Sequence, residues 1–589
     1  MIKTITHEAE LCVVGGGIAG MCAAIAAARE GHKVVLMHER PMLGGNASSE
    51  IRMWICGASG SGNRETGILE EIQLESFHSN PYKLYPVWDG ILYEKVRFEE
   101  NITLLLNCSC CDAEMDGSRI VSVRGWQLTT QQWHVVRAKY FADCSGDSIL
   151  APLTGAEFRF GREAKNEFNE SISEEKADRM TMGMSCLIQA RKLDRPVKFM
   201  APSWATKITD EIAAKRNPRN PETQNYWWLE LGGDRDSIGD TETVRDELLA
   251  LAYGMWDYYK NSGKYPGSEY WQLEFLGFLP GKRESRRMMG PYIMTQGDIV
   301  SGGKFDDVVA FGGWPLDDHE PRGFWYPGHP NISVHTPAPY GIPYRTLYSR
   351  NIENLFFAGR NISLTHAAMS STRVMATCAL LGQAVGTAAA VAAKYGVSPN
   401  GVYTDHLGEL QEILMYNDCF LPYKERTVSP LCKAAALTAD GEGCAENLRN
   451  GRDRNNRLYG DAEQGYTLRL GGTVEYRLAK PQAIHRVRFI FDSDLDRTTM
   501  PGDSVERSHT TRANVMPESP VMHMPRTLIK EYRLIGLDEN GGEVELLHET
   551  YNKRRFVSLT IDRRLTGLRF IPLATWGVPQ AHLFSFDFD

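Results

Sequence analysis

Residues 10–39 read ELCVVGGGIAGMCAAIAAAREGHKVVLMHE, and this stretch decides the fold. Leu11–Val14 is a short apolar run of the kind buried on both faces of a parallel sheet. Gly15-Gly16-Gly17-Ile18-Ala19-Gly20 follows at once, then the helix-forming run Met21–Glu30, which Gly31 ends. Lys33–Met37 is a second strand and closes on His38-Glu39. Strand, glycines, helix, strand and terminal acid in this order predict a βαβ unit that cradles a dinucleotide. Gly15 permits the tight turn, Gly17 lets the backbone approach a diphosphate, and Gly20 lets helix and strand pack closely. Ile18 and Ala19 open the helix, whose free N–H groups and positive dipole end suit the diphosphate. Glu39 is placed to accept hydrogen bonds from the adenosine ribose.

Further segments extend this cradle. Arg40-Pro41-Met42-Leu43-Gly44-Gly45-Asn46-Ala47 follows the acid directly. FADCSGD (141–147) comes after a hairpin-like stretch, Arg119–Tyr140, and ENLFFAGR (353–360) lies far downstream. A long helix is predicted from about Ser371 to Lys394, opening on Arg373-Val374-Met375, where its N-terminal dipole favours negative charge. Together with GKRESRR (281–287) and PYRTL (343–347), these pieces resemble the FAD-dependent oxidoreductases. That family is a branch of the glutathione-reductase-like flavoproteins, and some members are labelled xanthan-lyase-like. The resemblance spans most of residues 8–395 and implies FAD as cofactor. It implies FAD contacts from Gly15, Gly17, Ile18, Ala19, Gly20, Glu39, Arg40, Gly44, Gly45 and Asn46 in the first half. In the second half it implies Asp143, Gly146, Asp147, Gly359, Arg360, Val374 and Met375. Arg360 stands where many relatives carry Asp, so a phosphate contact replaces the usual ribityl contact in this reading. One GxGxxG and no redox cysteine pair separate the chain from the pyridine-nucleotide disulfide reductases.

The stretch from about 158 to 340 interrupts the two nucleotide-binding parts, and the resemblance makes it a substrate cap. It is rich in aromatics, among them Tyr226-Trp227-Trp228, Trp256, Trp271, Trp314 and Trp325-Tyr326. Such rings suit sugars or other ring substrates, but a packed core accounts for most of them. Arg52 and Arg286 are candidate anion forks. His366, just past the second flavin segment, is the candidate base for a substrate hydroxyl, with Arg373 as a partner and Tyr344 as a proton donor. A structural role for His366 stands at even weight beside that one.

Composition narrows the classes. Hydrophobic content of 42% is that of a soluble globular protein, and a net charge of −9 argues against a nucleic-acid binder driven by phosphate neutralisation. Met1–Glu8 lacks a basic-then-apolar leader, so reduced thiols and a cytoplasmic location are expected. Cys108, Cys110 and Cys111 read as a metal knuckle or as small residues of a strand; with no completing ligand set the strand reading is stronger, and no metal is expected. Val374–Ala393 has membrane-span length, but Gln383, Thr377 and Thr387 make it a buried helix of a soluble protein.

After about residue 431 the pattern alternates with period two, as in Val474–Leu478, Val487–Phe491 and Phe584–Phe588. This looks like a galactose-binding-like jelly roll, which implies either carbohydrate binding or a packing surface. The expected architecture is an α/β Rossmann-type FAD domain (1–157 and 341–400) with an inserted α+β substrate domain (158–340). A linker (401–430) and an all-β sandwich (431–589) follow. The expected function is hydride transfer between FAD and a small organic substrate, a sugar or hydroxy acid. The alternatives are a fumarate-reductase-like C=C reductase, a lyase- or hydrolase-like carbohydrate enzyme using transient flavin oxidation, and a carbohydrate-binding protein with a vestigial flavin site.

Overall fold

The computed structural model describes residues 2–216, 225–496 and 521–589. Of the polar segment Asp492–Pro525, which the sequence presents as a long loop, residues 497–520 lie outside the described residues. The chain forms two compact units, one built mainly from Met1–Ala58 and Tyr82–Leu410, the other from Ser59–Pro81, Gln411–Thr498 and Met522–Asp589. The two units keep the inserted segment with the nucleotide-binding parts, and the boundary at Leu410 falls inside the expected linker. Ser59–Pro81 belongs to the second unit rather than to the nucleotide-binding domain, a long-range association that no local pattern announces.

The first unit is organised by a sheet of β1 (Thr4–Val14), β2 (Val34–Met37), β3 (Ile102–Leu105), β4 (Cys108–Asp116), β5 (Arg119–Gln127), β6 (Gln132–Asp143) and β7 (Leu355–Phe357). The order β3-β2-β1-β6 is parallel throughout, while β4, β5 and β6 form an antiparallel meander. The late strand β7 pairs in parallel with the end of β6, from Leu355↔Phe141 to Phe357↔Asp143. The three clustered cysteines start β4, with Cys108 buried and Cys111 exposed.

Helix α1 (Ile18–Arg29) is alanine-rich and buried along nearly its whole length because α2 (Met375–Tyr395) lies against it. A Cβ at Gly382 would fall 2.0 Å from the Ala19 carbonyl oxygen, and one at Gly386 would fall 2.1 Å from that of Ala23. Two glycines four residues apart thus clear a groove for the facing backbone. Among the described residues α2 is the one helix long and apolar enough to cross a membrane, and 94% of its apolar window is buried inside the protein.

The inserted segment is α+β: short antiparallel pairs and the helix Thr241–Asn261 close over a cluster holding Tyr226, Trp228, Trp256, Tyr259 and Trp271. These aromatics are core, as the composition argument favoured.

The second unit holds an antiparallel sheet. Its main strands are β8 (Tyr466–Arg469), β9 (Val474–Phe491), β10 (Ile529–Leu537), β11 (Glu543–Glu549), β12 (Phe556–Thr575) and β13 (Gln580–Phe588), ordered β8-β13-β9-β12-β10-β11. The runs Val474–Leu478 and Val487–Phe491 belong to one strand, not two. Register shifts between Arg477 and Gln482 and between Ile484 and Arg486 let β9 continue through the break in alternation. Phe489, Phe491, Phe570 and Phe586 stack within its core.

Candidate functional site

A cleft lies at the C-terminal ends of the parallel strands. Its walls begin one or two residues beyond four of them: Gly15 after β1, His38 after β2, Cys144 after β6 and Gly359 after β7. Gly17 caps α1 without a side-chain hydrogen bond, so the first helical N–H groups have no side-chain partner. A Cβ on Gly17 would meet nothing nearer than Gly45 Cα at 3.8 Å, which shows that this backbone faces open space. The second glycine pair is tied to the first, with Gly44 N donating to Gly16 O at 2.9 Å. Buried His38 fixes both loops. Its Nδ1 lies 3.0 Å from Gly16 N and its Nε2 lies 2.9 Å from Met42 O.

Cationic groups line the same cleft. Asp147 holds Lys282 Nζ at 2.8 Å and Arg360 Nη2 at 2.7 Å. Burial works against the charge of Asp147, but Arg360 and Lys282 outweigh it and hold the carboxyl at about 2. Arg360 Nε is buried and has no hydrogen-bond partner. Free helical N–H groups, an exposed glycine backbone and the cations Arg40, Lys282 and Arg360 are the donor set a dinucleotide diphosphate requires, and FAD fits these residues.

Ile18, Ala19, Glu39, Arg40, Gly44, Gly45, Asn46, Gly146, Gly359, Arg360 and Met375 line the cleft with Gly15 and Gly17. Four residues expected as FAD contacts stand elsewhere. Gly20 is a packing position: a Cβ there would lie 1.8 Å from Gly15 O. Asp143 is buried behind the wall, accepting from Ser145 N (3.0 Å), Leu150 N (2.8 Å) and Asn361 Nδ2 (3.3 Å). Asp147 acts through the two cations it holds. Val374 faces a neighbouring chamber.

That chamber, partly open to solvent, shares Asn46, Met53, Trp227, Arg283, Arg373 and Met375 with the cleft. Trp54 and Trp314 add two more indole walls. The hairpin Leu316–His319 with Asn331–Val334 supplies its polar side, through Asp317, His319, Asn331 and Ser333. Period-two alternation puts Asp317 and His319 on one face of their strand and Asp318 on the other. His319 Nδ1 lies 2.6 Å from Glu230 and Nε2 lies 3.3 Å from Asp317, while Arg373 Nη2 donates to the Asp317 backbone oxygen at 2.9 Å. Burial disfavours the His319 cation, but Glu230 and Asp317 outweigh it and raise its pKa. Burial disfavours the Asp317 anion too, yet His319 and Arg373 hold it far below the usual carboxylate range.

Four of the five catalytic candidates line neither the cleft nor the chamber. His366 is sealed away from both cavities, with Nδ1 at 2.8 Å from Glu284 and Nε2 at 2.9 Å from Asp318. Burial opposes its charge, but the two carboxylates prevail and push it up to about 10, which fits the structural role weighed above. Arg52 is stacked 3.9 Å over the Phe275 ring and donates to Gln189 and Ser49 O. Arg286 lies over Phe158 and donates to Asp147 O. Tyr344 is core, donating to Pro399 O at 2.9 Å. Arg373 alone lines both cavities. Sequence reasoning missed Asp317, His319 and Glu230. The one available signal was LDDH (316–319), a strand placing an acid and a histidine two residues apart.

No curated protein matches the chain. Solved structures include a family 32 carbohydrate-binding module from Streptococcus pneumoniae EndoD, at 17% identity, covering 26% of this chain and 97% of that one, with a TM-score of 0.19. The C. perfringens NanJ family 32 module, in complex with galactose, is 12% identical, covers 27% of this chain and 97% of that one, and has a TM-score of 0.17. Thermovibrio ammonificans THI4 is 18% identical, covers 29% of this chain and 76% of that one, and has a TM-score of 0.20. At these scores none of them bears on the fold or activity of this chain. The FAD dependent oxidoreductase family model matches residues 10–414, so the chain belongs to that family of FAD-binding enzymes.

Proposed function

We propose that this FAD-dependent oxidoreductase moves a hydride between the flavin and a hydroxylated small molecule held in the tryptophan-lined chamber. The observation that carries the reading is the shared wall: Met53, Trp227, Arg283, Arg373 and Met375 border both the glycine cleft and the chamber. FAD, when bound, supplies the hydride acceptor or donor. The chain must then handle the proton on the substrate oxygen, and His319 is the residue suited to it. Carboxylates only accept, so Glu230 fixes a proton on His319 Nδ1. The 3.3 Å contact from Nε2 to Asp317 is long, which leaves that edge able to exchange a proton with a molecule in the chamber. The resting imidazolium is a ready acid for carbonyl reduction, and it must lose its proton before it serves as the base for alcohol oxidation. Arg283 and Arg373 offset negative charge developing on the substrate oxygen.

The test is anaerobic mixing of the yellow, FAD-loaded protein with sugars and hydroxy acids while the flavin bands are followed. Bleaching by a hydroxylated compound supports the reading. If none bleaches, and the dithionite-reduced protein is reoxidised by unsaturated acids alone, the C=C reductase replaces it.

For the second unit we read a jelly-roll sandwich. Its 18- and 20-residue strands β9 and β12 carry register shifts that allow one hydrogen-bonded sheet to bend around a single apolar core.

A further inference from the structure

The chamber wall holds buried donors with nothing to donate to. Trp314 is 8% exposed, and its indole Nε1 has no hydrogen-bond partner. Its backbone oxygen accepts from both Thr336 Oγ1 and Ser371 Oγ, so the residue is anchored in place. Arg373 Nε is likewise buried and unpartnered, although the other end of the guanidinium is engaged by Asp317. A buried donor left unpaired costs about 1–3 kcal/mol, so such groups mark where a ligand acceptor belongs.

The carboxylate along this wall is, by contrast, already used. Asp317 receives His319, Arg373 and Asn331. Two orphan acceptors near this wall, Glu230 Oε1 and Asn225 Oδ1, belong to residues that do not line the chamber. Charge tells the same story, for three cationic groups, Arg283, Arg373 and the raised His319, face two carboxylates, Glu230 and Asp317. A neutral polyol brings as many donors as acceptors and would leave this imbalance standing. An anion brings acceptors alone and removes it.

We infer that the chamber takes a carboxylate-bearing substrate with a ring-sized body, its carboxylate held by Arg373 Nε and Trp314 Nε1. This deepens the proposed reaction and rests on the chamber being the substrate site. The indoles of Trp54, Trp227 and Trp314 give the ring its apolar walls, and Arg373 sets the carboxylate beside the boundary with the cleft. Trp314 borders only the chamber, which separates a substrate role from any role toward the cofactor.

The experiment is equilibrium titration of the oxidised, FAD-loaded protein at fixed ionic strength. The probes are glucuronate and benzoate, each set against its neutral counterpart, glucose and benzamide. Binding is read by calorimetry and by the flavin difference spectrum, without turnover. The acids are expected to bind at least about tenfold more tightly than their counterparts, the factor one charge-assisted hydrogen bond supplies. Trp314→Phe, which keeps a ring and removes the donor, should abolish most of that preference at unchanged FAD content, and Arg373→Gln should weaken the preference as well. Equal affinity for acids and neutrals, no binding of either acid, or a preference that survives both substitutions overturns the inference. Flavin bleaching by neutral alcohols without acid preference would leave the redox reading standing and sink this one. Tight acid binding without any flavin reduction would do the reverse.

Discussion

Two histidines sit on opposite sides of one short strand, and each is gripped by two carboxylates. Asp318 and Glu284 hold His366, while Asp317 and Glu230 hold His319. The electrostatic device is the same, yet the surroundings suit it to opposite uses. His366 has both nitrogens engaged at 2.8–2.9 Å and lines neither the cleft nor the chamber. His319 has one firm contact and one loose one, and it faces a chamber that borders the cleft. Access, rather than pairing, separates a structural cation from a working acid or base.

The largest effect that would sharpen this contrast is on folding. His366→Gln strands two buried carboxylates, and a loss of about 3–5 kcal/mol in urea unfolding is expected, with FAD still bound. A collapse of flavin reduction with stability intact would instead return His366 to the chemistry. The pH dependence has a definite sign. Because the folded value is raised to about 10, the stabilisation is complete below the unfolded value of about 6.5 and drains away as pH climbs towards 10. Glu284 and Asp318 are depressed, so their share is lost as pH falls through the acid range. The wild-type Tm should therefore decline from about pH 6.5 to 10, and His366→Gln should flatten that decline.

On the other side of the strand the expected effect is kinetic. His319→Gln should slow flavin reduction at least about a hundredfold, equal to about 2.7 kcal/mol of barrier, at a smaller stability cost because the chamber admits water to Asp317. A change under threefold or so would remove His319 from the mechanism. Away from both histidines, Gly382→Ala should cost about 1–3 kcal/mol by forcing α1 from α2, measured as a fall in Tm. The smallest effect is the most diagnostic. Oxidation should rise with pH through a limb above about 6.5, the ordinary histidine value, and Glu230→Gln should move that limb down. A limb that does not move would break the coupling between Glu230 and His319.

The nucleotide cradle was legible because its parts are contiguous. Gly15–Ala19, His38–Arg40 and Gly44–Asn46 each come from one turn whose backbone needs dictate residue type. Even there, Gly20 and Asp143 fell behind the wall, since a motif does not say which of its members pack and which face the ligand. The chamber was not legible. Trp54, Trp227, Arg283, Trp314, His319 and Arg373 come from segments spread over more than three hundred residues, and most indoles of the insert are plain core. Nothing local separates Trp227 from its neighbour Trp228, which packs in the core. His366 drew attention by position alone, and position does not reveal that both its nitrogens are spoken for.

The pairing of β7 with β6 also governs how the chain can be made. On a ribosome, the outer edge at the end of β6 is finished at Asp143 but meets its partner only when Leu355–Phe357 emerges. At about 5–20 residues per second that is a wait of about 10–40 s with open backbone N–H and C=O groups on a growing sheet. The nascent chain therefore passes through a long vulnerable interval that full-length refolding in a tube never samples. A translation pause inside the insert would lengthen it, and yield in the cell should fall with such pauses even though the finished protein is unchanged.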